Sequence, residues 1–362
     1  MCGSNAFTAI SQAVCCAAAQ IKQTEAYQHI ACLKHGQVPE KFSVPLPMVT
    51  IIQSGRAAPG KLNCVKEFMV IPKHDMPLKK SMAYIQQIYN YVAKQFFAKG
   101  GTATKLVNDI GAMCPTFDKP EQGLDLLQEA ITNCGLTAGE DFFIGLNCAG
   151  PEIFDYEKGK YELMVGLAKI PDDVIEFWAD LVNRYPSIIA LIDPLRKQDD
   201  EHWMRLCDKI SDKCFIMGGR AYQRPGLLKD EELTENFRSS GIVFQLEQIN
   251  TVSDILICVN KMEEADNQIV MSTCQGETTD TFITDFAVGV GARFIKIGAP
   301  VRGERTVQIN RLLQIEEMLE AKGQFKPQEP NTFPHIMPPP LPEPEEGEAE
   351  VEEEAKKDAK KK

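Results

Sequence analysis

Residue types that do chemistry are plentiful in this chain, yet few stand at spacings that define a site. Twelve cysteines are spread over 362 residues with no C-x-x-C, and no Cys/His pair has zinc-finger spacing. Cys148 in FFIGLNCAG and Cys258 in DILICVNK lie inside apolar stretches, so packed, reduced thiols are expected rather than disulfides. Cys15 and Cys16 have no partner ligands nearby and read as helix residues. His29, His35, His74, His202 and His335 share no motif. The better candidates end short apolar runs: Asn147, Ile192 or Asp193, Gly219, Gln245, Ser272 to Gln275, and Lys296. For an enzyme this set is sparse. Metal-assisted chemistry calls for several hard oxygen ligands, and the set holds one carboxylate, Asp193, which precedes a proline.

The elements that must position these residues are legible. NAFTAISQAVCCAAAQ reads as an opening helix. PMVTIIQ and VKEFMVIP read as two strands, because β-branched and apolar residues cluster between turn signals. Two helices closed by glycine follow, MPLKKSMAYIQQIYNYVAKQFFAKG and PEQGLDLLQEAITNCG. Short strands then begin near Phe142, Ser187, Lys213, Gly241, Gln268 and Arg293. Helical stretches follow them at Asp172–Tyr185 (after a short excursion), Asp199–Ile210, Lys229–Ser239, Val252–Glu264, Asp280–Val290 and Glu304–Lys322. Six βα units behind a two-strand, two-helix opening predict an α/β fold built as a parallel barrel. A doubly wound sheet is the alternative, but no glycine-rich loop follows the first strand. In a barrel, chemistry sits at the C-terminal ends of the strands, where the candidates lie.

Composition narrows the function classes. Hydrophobic residues make up 44% and charged residues 25%, as in ordinary globular chains. No apolar run approaches the ~20 residues of a membrane span, and the N-terminus lacks a basic signal region, so no membrane role is expected. The net charge of −12 argues against nucleic-acid binding. Residues 343–354 hold eight Glu, and the last seven residues are mostly Lys. Dense proline, then acidic and basic blocks, predict a disordered tail over 326–362. Its proline part could dock a groove that reads polyproline helices.

Longer motifs carry a family resemblance. GETTDTFITDFAVGVGARFIKIGAPVRGERTVQINRLLQIEEML is similar to the C-terminal signature of enolases. GSNAFTAISQAV, PLPMVTIIQSG, KEFMVIP, FIGLNCAGPEIF, ALIDP and QLEQINTVSD agree with that family in order, from residue 3 to about 325. The resemblance implies an enolase-type barrel, β2α2(βα)6, over 41–325, with 1–40 as a remnant linking helix from the N-terminal side. It implies that most of the family's N-terminal domain, including its mobile loop, is missing. The departures and charged tail are more similar to a divergent, sperm-type branch than to the glycolytic isoforms. That implies a cytoplasmic protein, with the sperm flagellum as a location.

The resemblance also implies a reaction, the magnesium-dependent dehydration of 2-phosphoglycerate to phosphoenolpyruvate by a lyase of glycolysis. Carried over by position, the machinery is largely replaced. The three metal carboxylates fall on Asn147, Ile192 and Gly219, the base lysine on Gln245, and the acid glutamate on Ile110, beside Asp109. The substrate histidine falls on Ala58, and the phosphate-binding run on Ser272, Thr273, Cys274 and Gln275. Glu67 and Lys296 survive, as substrate contacts or as an interior ion pair. Arg56 and Arg220 add positive charge near the mouth, and Arg302 and Arg305 read as structural or dimer-contact residues.

Two readings follow. One is an interaction or structural protein on an enolase barrel, with the tail as its partner-binding element. The other is a working phosphopyruvate hydratase, acting through Asp109, Glu247 and Lys296 or in a dimer with an intact subunit. Glu247 stands two residues past Gln245 and is expected on the same strand face. A third reading is a metal-free anion site using Lys296 and Arg220.

Overall fold

The computed structural model describes residues 3–101, 106–222, 228, 239–248 and 251–337. Eight strands close into a barrel: β1 (Leu46–Gln53), β2 (Glu67–Pro72), β3 (Phe142–Asn147), β7 (Ile188–Ile192), β8 (Phe215–Gly218), β9 (Gly241–Gln245), β10 (Gln268–Ser272) and β11 (Phe294–Gly298). Around the ring they run β1-β11-β10-β9-β8-β7-β3-β2. β2 is antiparallel to both of its neighbours, and the other pairings are parallel. The expected two-strand, two-helix opening is therefore present: α3 (Leu78–Gly100) and α4 (Pro120–Asn133) both fall between β2 and β3.

Burial explains the strand sequences. β1 and β2 are buried at every residue, because one face meets the barrel interior and the other meets helices. α4 approaches β2 through Gly123, where a Cβ would stand 2.6 Å from the Phe68 ring. Helices α6 (Pro171–Arg184), α7 (Asp200–Ile210), α8 (Val252–Glu264), α9 (Phe282–Gly289) and α10 (Gly303–Ala321) cover the parallel strands. Each buries a stripe such as Val174, Ile175, Trp178 and Leu181 of α6, at helical spacing. The helix expected at Lys229–Ser239 lies almost wholly outside the described residues.

Three features differ from the sequence expectation. The excursion after β3 is a short helix, α5 (Gly150–Ile153), and a three-stranded sheet of β4 (Phe154–Asp155), β5 (Lys160–Met164) and β6 (Leu167–Lys169). The 1–40 segment holds two helices, α1 (Ser4–Ile21) and α2 (Ala26–His35). α2 starts at a reciprocal Glu25–Gln28 cap, ends at left-handed Gly36, and lies so close to α9 that a Cβ on Gly289 would meet Ile30 at 2.7 Å. α1 leaves Phe7, Ile10, Val14 and Ile21 exposed.

The third difference concerns the tail, expected from 326. Residues up to 337 instead form an extended strap across the N-terminal end of the barrel. Gln328 Nε2 donates to Ser43 Oγ, Val44 O and Ala292 O, and Arg293 donates to Gln328 and Asn331. Phe333 packs on Phe215 at 4.6 Å between ring centroids and joins the layer of Leu46, Phe143 and Phe294 that closes the barrel floor. His335 bonds Asp208 O, and Ile336 N–H donates to Ser211 Oγ. Proline removes donors here, but side-chain and remaining backbone groups supply the anchoring instead. Of the expected tail, residues 338–362 lie outside the described residues.

Candidate active-site cleft

The barrel gathers the candidates because strand ends converge at one mouth. Since β2 runs antiparallel, its first residue, Glu67, reaches that mouth, where Gln53 and Asn147 are its register partners. Glu67 is 4% exposed. Its Oε1 accepts from Asn147 Nδ2 and Lys296 Nζ, and its Oε2 accepts from Thr50 Oγ1, each at 2.8 Å. Burial pushes the Glu67 carboxyl up, but Lys296, Asn147 and Thr50 outweigh it and leave the group below its ordinary value. The interior ion pair expected of Glu67 and Lys296 is present.

On the opposite wall, the ends of β9, β10 and β11 hold one another. Gln245 Nε2 donates to Thr273 O at 3.4 Å, and Gln248 Nε2 donates to Gln245 Oε1 at 2.8 Å. Fully buried Arg305, at the start of α10, donates to Thr273 Oγ1, Cys274 O and Gln275 O at 2.8–3.0 Å. Its role is therefore to fix the 273–275 loop. Ser272 Oγ donates to Thr273 O, and Cys274 N–H donates to Glu277 Oε2. Glu247 stands in a 3-10 turn, Leu246–Gln248, so the strand alternation that would align it with Gln245 has already ended.

The third wall holds Ile192, Asp193 and Gly219. Asp193 takes a left-handed conformation (φ 51°), and its carboxylate accepts from the N–H groups of Gly219, Arg220 and Ala221 at 2.8–3.0 Å. Burial still pushes its carboxyl above the ordinary value, against those three bonds. Asp193 thus shapes the β8 loop, in keeping with the backbone role expected of Asp-Pro. Glu152 of α5 ties the rim together, with Lys66 and Arg220 each 2.7 Å from its Oε1. Arg56 reaches Glu152 O and Glu162.

The cleft measures about 450 Å³ and is lined by Ile110, Glu67, Asn147, Ile192, Gly219, Gln245, Ser272 to Gln275 and Lys296. With Asp193 and Arg220, thirteen sequence-derived positions therefore meet at one place. Asp109 does not line it: the side chain is exposed, and Asn108 Oδ1, accepting from Ile110 N and Ala112 N, turns Ile110 inward instead. Ala58 also stands outside the cleft lining. Sequence reasoning missed Gln53, Lys66 and Glu152. Their signal lay in position, one at the end of β1 and one immediately before β2, with the third in the short helix after β3.

These residues do not fit the magnesium implied by the resemblance. Ile192 and Gly219 bring no side-chain oxygen, Asn147 turns its NH2 to Glu67, and both Glu67 oxygens are occupied. Magnesium requires hard oxygens in near-octahedral array. Among the described residues no group of three or more His, Cys, Asp or Glu is placed to hold a metal ion. Of the cations proposed for an anion site, Lys296 pairs with Glu67, while Arg220 shares Glu152 with Lys66.

An eight-stranded barrel opening β-β-α-α, with its candidates at the strand ends, defines the enolase class of α/β barrel. The family described as "Enolase, C-terminal TIM barrel domain" matches residues 41–332, and the chain belongs to it. It is 38% identical over 324 residues to Enolase 4 of Xenopus laevis, covering 89% of this chain and 56% of that protein. It is 35% identical over 349 residues to Enolase 4 of Homo sapiens (91% and 56%), and 32% over 321 residues to Enolase 4 of Danio rerio (88% and 54%). The chain thus spans about half the length of the curated relatives it matches. Among the described residues no helix is long and apolar enough to cross a membrane.

Proposed function

We propose that this chain is an enolase-type barrel that does not perform the family's dehydration and serves a binding or structural role. The observation that supports this reading most is the saturated Glu67, whose oxygens are taken by Lys296, Asn147 and Thr50. Abstracting a proton next to a carboxylate demands a base and concentrated positive charge at the developing dianion. Gln245 cannot accept that proton near neutral pH, and every lining cation has a carboxylate partner. The Pro- and Glu-rich sequence from 338 is the element offered to a protein partner, and a homodimer or a dimer with an intact enolase subunit is the proposed assembly. A cytoplasmic location, including the sperm flagellum, belongs to the same proposal.

The surviving Glu67–Lys296 pair favours a second reading, a phosphopyruvate hydratase completed by an intact partner subunit. One assay separates the two. Phosphoenolpyruvate formation from 2-phosphoglycerate is followed with and without magnesium, using chain from a host cleared of its own enolase. The first reading predicts no turnover alone. Turnover that needs magnesium and is lost in Lys296→Ala refutes it, and turnover in the mixture above that of the intact subunit alone, lost when Lys296→Ala replaces the wild-type chain, supports the second.

A further inference from the structure

We infer that the cleft binds a small uncharged polyhydroxyl molecule, an open-chain polyol, through Gln53 and Asn147. The inference rests on the reading that no magnesium-bound phosphorylated substrate occupies this cleft.

Gln53 carries the argument. It is 3% exposed, ends β1 and lines the cleft, yet its carboxamide has no partner among the described residues. Its amide atoms open onto the cleft, where water or a ligand hydroxyl can complete them. Opposite Glu67, Asn147 spends its NH2 on that carboxylate and keeps Oδ1 for the cleft. Carboxamides both donate and accept, as hydroxyl groups do, so a row of hydroxyls is their natural complement.

The charge next to Gln53 and Asn147 is already paired. Lys66 and Arg220 share Glu152, Lys296 is held by Glu67, and Asp193 is spent on three backbone N–H groups. Beside Gln53 and Asn147 the one cation, Lys296, is already held by Glu67, and the two cations that share one carboxylate stand at the rim, so the anions in the test below decide whether that rim charge competes. The cleft, about 450 Å³, is of small-molecule size. No aromatic ring lines it among the described residues, so a stacked sugar ring has no platform, and an open-chain polyol fits better.

Saturation-transfer NMR on the full chain tests this, with sorbitol at low millimolar concentration as the polyol and 2-phosphoglycerate and inorganic phosphate as anions, in magnesium-free buffer. The expected result is transfer to sorbitol, at least fivefold weaker in Gln53→Leu and in the shorter Gln53→Asn, with both variants checked for folding by circular dichroism. Absence of transfer from folded protein, transfer unchanged in both variants, or transfer to the anions equal to that for sorbitol overturns the inference. Turnover of 2-phosphoglycerate is measured on the same sample with magnesium. Turnover sinks the proposed function, whereas missing sorbitol contact without turnover sinks only the polyol site.

Discussion

Asn147 Nδ2 donates to Glu67 Oε1 at 2.8 Å, across a register pair that joins β3 to β2. An amide at this strand end makes a buried carboxylate compatible with Lys296 as its one cation among the described residues. A carboxylate at 147 would instead face Glu67 across the same distance. Asn147→Asp is therefore expected to destabilise the fold by about 1–3 kcal/mol in magnesium-free buffer. Chemical denaturation reads the loss, and millimolar magnesium is not expected to reverse it.

Lys296 has a larger effect. Replacing it with Met leaves Glu67 buried and unpaired, at a cost of about 3–5 kcal/mol near neutral pH. The sign against pH follows from Glu67. In the native chain its carboxyl lies below the ordinary value, so the pair contributes stability above the unfolded value of ~4.3 and loses it as pH falls through the folded value. Without Lys296, burial dominates and the folded value rises above the unfolded one. That variant is most stable below ~4.3 and loses stability as pH rises. The stability gap between the two proteins should widen from acid to neutral pH in urea titrations. A constant gap would show that the pair is not ionised.

Arg305 is expected to matter for loop order rather than for charge. Its guanidinium joins Thr273, Cys274 and Gln275, a geometry that a lysine cannot reproduce. Arg305→Lys should speed amide hydrogen exchange in the 273–276 loop and cost roughly 2–4 kcal/mol, because the fixed fork is lost in a buried site. Unchanged exchange there would remove Arg305 from its anchoring role.

The strap divides the C-terminal segment. Deleting 338–362 should leave the unfolding midpoint unchanged. Phe333→Ala should lower stability by about 1–3 kcal/mol, since Phe333 is partly buried against Phe215. Equal midpoints for Phe333→Ala and wild type would mean that the strap does not close the barrel floor.

Much of this was legible in the sequence, and the exceptions have physical causes. Strands ending at Asn147, Ile192 and Gln245 were readable because parallel strands buried on both faces are short apolar runs between turns. Their shared cleft followed from barrel geometry. α2 escaped because its apolar periodicity is weak, although the Glu25–Gln28 pair and Gly36 mark its ends. The strap escaped because proline-rich composition looks like a solvated tail. Its attachment depends on Gln328, Phe333 and His335, which meet partners far away in sequence. Gln53 escaped because nothing local distinguishes a glutamine that ends a strand at the mouth from one that ends it elsewhere.

The most direct test of the central claim is calorimetric titration of the full chain with magnesium, repeated with manganese as a stand-in followed by its paramagnetic signal. No site tighter than the millimolar range is expected for either ion, with or without 2-phosphoglycerate. One or two ions bound per chain at micromolar affinity, lost in Asn147→Leu, would contradict it and restore the cleft as a metal centre.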